Sequence, residues 1–149
     1  MLFLLVLMVI EGAYMFRTYS TLISATWVGA RFALDGGTDS DVVAVIQNSS
    51  ANLVVVPGRT DIYVVRGATN SAGSIVQWNV NHTFGTGPPT PKISQSDLQP
   101  KLTNGLQPTT ISNVSFVVVE LDFRHNSLTG SGILPISVPM TSYAVVHRL

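Results

Sequence analysis

Cysteine is absent from the 149 residues, so neither a disulfide nor a thiolate-bound metal can hold this chain together. Charge is scarce too: Asp, Glu, Lys and Arg make up 11% of the chain, against about a quarter in an ordinary soluble domain. Eight acids balance eight bases, and no basic run exists to release counterions, which argues against nucleic acid as a partner. Because 46% of residues are hydrophobic, Ser, Thr, Asn, Gln and Gly must wet the surface, or other subunits must cover it. No G-x-S-x-G elbow, phosphate-cradling glycine loop or catalytic acid pair occurs. The three histidines, His82, His125 and His147, lack ligand spacing, and Asp122 and His125 read as solvated residues flanking a turn. The chain therefore reads as a non-enzyme, with no catalytic residues, no cofactor and no metal.

What the chain does have is a proline-free stretch, residues 1–34, that opens with ten aliphatic, aromatic or Met residues and carries three charges, Glu11, Arg17 and Arg31. It predicts one helix about 50 Å long, more than the remaining domain needs to cover its own core. Burying ten such side chains is worth at most about 15–30 kcal/mol, whereas one carboxylate costs about 3 kcal/mol at mid-membrane. The expected destinations are a bilayer or the core of an assembly of identical helices. A signal peptide would carry a basic n-region, which is missing, and residues 1–16 are short beside the usual span of about 20.

Residues 17–34 mix Thr18, Ser20, Thr21, Ser24 and Thr26 with Tyr19, Leu22, Ile23, Trp27 and Phe32, an amphipathic half suited to covering a sheet. Gly12, Ala13, Ala25, Gly29, Ala30 and Ala33 permit close approach of other backbones, and Tyr14 and Trp27 read as core packing, with membrane-interface aromatics as the alternative. Glu11 is the one acid in the apolar half. On its own helix Arg17 lies about 240° around the axis and the Met1 amine about 15 Å away, so its partner is expected from another subunit, either Arg17 or the Met1 amine.

Asp35-Gly36-Gly37 stops the helix, and Thr38-Asp39-Ser40-Asp41 starts a second one reaching residue 49, with a strand as the alternative because the run is β-branched. Residues 53–56, 61–66, 73–81, 112–124 and 133–149 read as strands, and the loop 85–100 holds one helical turn begun by Ser94. On 112–124, Ser115, Val117, Val119, Leu121 and Phe123 share one face, while Glu120, Asp122 and Arg124 make the other polar at its end. Pro135 and Pro139 place the first half of the last strand at an edge or bulge. The expected fold class is α+β: a long N-terminal hydrophobic helix packed on a small antiparallel sheet of three to five strands. Residues 1–34 are the assembly or membrane helix and 35–149 the β-rich surface domain. Three sequons, at Asn48, Asn81 and Asn113, are possible glycosylation sites.

The series Ile10-Glu11-Gly12, Arg17, Tyr19, Leu22, Ala25 and Gly29-Ala30-Arg31-Phe32-Ala33 resembles the N-terminal signature of TadE-like proteins, the pseudopilins of tight-adherence pili. There an apolar stretch runs into I-E-x-G/A-R, then Y-x-x-L-x-x-A, then G-A-R-Y/F-A. The C-terminal end looks similar, with Glu120 to Phe123 closing one strand and Val146-His147-Arg148 the last. The basic leader, processing glycine and further glutamate of family precursors do not precede Met1. The resemblance implies a pilin-like fold and a structural subunit that polymerises through its helix into an extracellular, type IV pilus-like filament used in adhesion. Its partners would be copies of itself and, before assembly, the inner membrane, with glycans on the outer surface. Met1, Phe3, Leu5, Met8, Glu11, Gly12 and Arg17 would be the assembly residues. The alternatives are a minor pseudopilin that initiates or caps a pilus, or a membrane-anchored binding domain.

Overall fold

The computed structural model describes residues 2–51, 53, 55–104, 112–126 and 137–148. Helix α1 (Leu2–Leu34) is unbroken. It ends where the glycines allow, with the Asp35, Gly36 and Gly37 N–H groups donating back to the carbonyls of Arg31, Ala33 and Phe32, and Gly36 at φ 96°. Helix, not strand, follows: α2 (Asp39–Ser49) is capped by the Thr38 hydroxyl, which accepts the Asp41 N–H at 3.3 Å, and Asp39 and Asp41 complement its first turn.

The sheet has four antiparallel strands, β1 (Thr60–Thr69), β2 (Ile75–Phe84), β3 (Ser115–Asn126) and β4 (Ser137–Arg148), in the order β2-β1-β3-β4. Of the strand expected at 53–56, the described residues 53, 55 and 56 are not in a strand. Donors here are consumed locally, Leu53 N–H by Ser50 and Val55 N–H by Leu53, while the Arg59 and Thr60 N–H groups both turn back to Val56. Pro139 sits in edge strand β4 opposite Arg124, and the expected strand start at 133–136 lies outside the described residues.

The loop after β2 holds more than one helical turn. Helix α3 (Gln95–Asn104) grows from a reciprocal cap, in which the Asp97 N–H donates to the Ser94 hydroxyl at 3.2 Å and the Ser94 N–H to the Asp97 carboxylate at 3.1 Å. Those Ser94 bonds hold the Asp97 carboxyl below its usual pKa.

Two cores result. On one face of the sheet, Leu22, Ala25 and Ala30 of α1 and Val42 and Ile46 of α2 pack on Ile62, Val64, Val117, Val119 and Leu121. On the other, Ile93, Leu98 and Leu102 cover Val65, Ile75, Phe116 and Val118. The polar end of β3 lies on this second face, where the segment from 85 to α3 covers it: Glu120 is fully buried, and Arg124 is exposed.

Gly29 is where α2 closes on α1, because a Cβ there would lie 2.8 Å from both Cδ1 and Cγ1 of Ile46. Gly29→Leu is expected to cost about 1–3 kcal/mol and to lower the melting temperature by roughly 3–10 °C, read by circular dichroism. An unchanged melt would show that α2 is not seated against this position.

Candidate assembly surface

Two faces of α1 have opposite fates. Thr18, Leu22, Ala25, Thr26, Ala30 and Ala33 are buried against the domain, and the Thr26 hydroxyl is satisfied by the Leu22 carbonyl at 2.6 Å. The other face keeps its large side chains in solvent. Positions 2, 5, 9, 12, 16, 19 and 23 alternate steps of three and four, the spacing of a coiled-coil seam. They are Leu2, Leu5, Val9, Gly12, Phe16, Tyr19 and Ile23, every one exposed, and a step of four leads on to exposed Trp27. A Cβ on Gly12 would meet nothing within 4 Å. Trp27, expected in the core, is 44% exposed because the inward positions beside it are taken by Ala25, Thr26, Gly29 and Ala30, where only small groups fit.

Of the residues singled out from sequence, Leu5, Met8 and Gly12 lie within about 60° of one another on this exposed side. Phe3 is exposed on the opposite side and Arg17 is exposed about 120° around from Leu5. Met1 lies outside the described residues. Among the described residues no helix is long and apolar enough to cross a membrane, and no group of His, Asp and Glu could hold a metal ion.

Glu11 is placed differently from its expectation. Its Oε1 lies 3.2 Å from Nε2 of His125 in the same chain, and His125 packs against Tyr14 with ring centroids 5.0 Å apart. Within its own chain Glu11 therefore does have a partner, a strand residue rather than a group on its own helix. His125 is not a solvated turn residue, because β3 continues to Asn126 and alternation turns His125 inward, as it does Phe123. The pair fastens α1 to the sheet at the point where the helix leaves the domain. A search for partners along one helix could not find a strand 114 residues away.

The opposite side of the sheet is closed by a strap at residues 85–94. Glu120 accepts the Lys92 and Ile93 N–H groups at 2.7 and 2.8 Å, Asp61 accepts the Gly87 N–H at 2.6 Å, and the Tyr63 hydroxyl donates to the Pro88 carbonyl at 2.8 Å. Burial raises the Glu120 carboxyl pKa, against the lowering effect of those two N–H groups. Burial, then Asp61, Asp122 and Glu120, push Tyr63 up to about 12, so its phenol stays a donor. Asp61 and Glu120 are engaged in holding the backbone of the strap.

The sequon residues Asn48, Asn81 and Asn113 are all exposed, but they are not equivalent. The Ser50 hydroxyl of the first is buried and donates to the Ile46 carbonyl, and the Asn81 amide bonds to Asp39. Comparison with protein-family models, curated proteins and solved structures finds no match, so the functional reading rests on the sequence pattern and on this geometry.

Proposed function

We propose that the chain is a structural, pilin-like subunit that polymerises through α1 into an extracellular type IV pilus-like filament of the tight-adherence kind. The observation that carries the reading is the exposed seam of α1, a coiled-coil spacing of large apolar groups on a helix whose other face is already used by its own domain. Burying six of them against neighbouring helices is worth at most about 9–18 kcal/mol, which is of the size needed to offset an association cost of about 4–15 kcal/mol. The helix-on-antiparallel-sheet architecture and the TadE-like signature around Glu11 and Gly29 support the same reading. In it the apolar first turns sit in the inner membrane before assembly, the seams pack at the filament core, and the strap face and the sequons look outward.

A photoreactive benzoylphenylalanine in place of Ile23 tests the mode of packing. Irradiated assembled material should yield a covalent dimer whose cross-linked peptide lies in α1 of a second copy, while the same group in place of exposed Ser96 on α3 should not. Capture from Ser96 alone, or capture by Ile23 of its own chain only, would overturn the proposal.

A further inference from the structure

The end of the domain from which α1 projects carries three arginines that have no ion-pair partner among the described residues. His125 touches both Glu11 and Tyr14, so the C-terminal end of β3 is level with residues 11–14 of the helix. Residues 2–10 extend about 13 Å beyond it, with Leu2, Phe3, Leu5, Met8, Val9 and Ile10 exposed. At this end lie Arg124, next to His125, and Arg59, whose carbonyl accepts the Arg124 N–H at 2.8 Å. Arg17 is on α1 itself, less than one turn beyond Tyr14. Among the described residues none of the three has an ion-pair partner. Arg17 and Arg124 are exposed. The Arg59 guanidinium lies 5.9 Å over the Phe123 ring, and its Nε is buried with no hydrogen-bond partner among the described residues. The acids near this end are engaged: Glu11 by His125, Asp61 by His82 and the Gly87 N–H, Asp122 by Lys92. Asp35 and Asp41, which have no ion-pair partner among the described residues, are at the far end of α1, more than 25 Å away along the helix.

We infer that this end of the domain is a seat for anionic lipid headgroups, with Arg17, Arg59 and Arg124 forming a collar around the point where α1 enters the bilayer. The inference rests on the membrane-held state in the proposed function and adds which face of the domain meets the lipid and which lipid charge it selects. Apolar groups just beyond a ring of guanidiniums match the depth profile of a bilayer, hydrocarbon below and phosphate above. Arginine suits phosphate through its planar fork of donors, and each cation close to an anionic surface is worth about a fivefold gain in binding. Three separate arginines rather than a run explain why no basic motif marks this end in sequence: residues 17, 59 and 124 are far apart in the chain and reach the same end of the domain only through the fold.

The test is flotation of the purified full chain with vesicles of phosphatidylcholine alone and of phosphatidylcholine with about one third phosphatidylglycerol, at low and high salt. Binding to the anionic vesicles should be about a hundredfold tighter at low salt and should lose most of that margin at high salt, where charge is screened. A variant carrying R17Q, R59Q and R124Q should bind both vesicles alike, with its affinity for neutral vesicles unchanged. If R59Q unfolds the chain, the R17Q/R124Q pair, both exposed, should remove about 25-fold of the preference. Equal binding of the unmodified chain to both vesicles overturns the collar while leaving membrane insertion intact. A preference that survives the substitutions also overturns it. Binding to neither vesicle overturns the collar and the membrane-held state together.

Discussion

Glu120→Ala should be among the most damaging single substitutions in this chain, costing about 2–6 kcal/mol in urea unfolding. It leaves the buried N–H of Ile93 and the part-buried N–H of Lys92 without an acceptor, and each such orphan costs about 1–3 kcal/mol. Glu120→Gln should fall between, since one amide oxygen can serve one N–H while its NH₂ faces the other. The dependence on pH has a definite sign. The folded-state pKa of Glu120 lies above its unfolded value, so the native state binds this proton more tightly. The resulting stability is fully present below the unfolded pKa and is lost as pH rises through the folded one. The gap between the unmodified chain and Glu120→Gln should therefore be wider near pH 4 than near pH 7. A gap that instead widens toward neutrality would show that the two N–H groups outweigh burial.

Gly67→Val should cost about 3 kcal/mol, the upper end of what overpacking usually exacts. Gly67 faces Phe116 directly across β1 and β3, and the ring lies over it so closely that any Cβ would overlap three ring carbons. The ring has nowhere to turn: it is 1% exposed, with Trp78 of β2 6.2 Å away on the far side of Gly67 and the side chains of α3 packed against it. Loss of the cooperative thermal transition, or a fall in its midpoint of about 6–12 °C, is the expected reading. Phe116→Leu in the same chain should recover part of the loss, because the two positions share one space. Strictly additive losses would mean that the ring is not what excludes the valine.

Helices α1 and α2 were legible because their signals are local, whereas α3 showed in the sequence only as a single turn begun by Ser94. An unbroken apolar run, Gly36 beyond its end, and Thr38 with two acids at the next start are all contained within a few residues of the elements they define. The β-rich second half and the edge position of Pro139 were legible for the same reason. What the residues near a position could not reveal was what the rest of the chain laid over it. Glu120 follows the alternation of β3 faithfully, yet it is buried because the strap 30 residues earlier needs an acceptor there. His125 and Glu11 are ordinary polar residues until the packing of α1 on β3 makes them neighbours. The exposed seam was present as a spacing, but residues 1–10 are apolar on every side, so periodicity alone could not separate it from the inward face; the burial of Thr18, Leu22 and Ala25 does.

A filament subunit of this kind requires that copies of the chain assemble through α1. The direct measurement is electron microscopy of the purified full chain after detergent removal, with Phe16→Glu/Ile23→Glu as the comparison, since both positions are exposed and the doubly substituted domain should melt as before. The account predicts filaments of uniform width with α1 at their centre for the unmodified chain and only dispersed particles for the substituted one. Dispersed particles from the unmodified chain, or filaments from both, would contradict it.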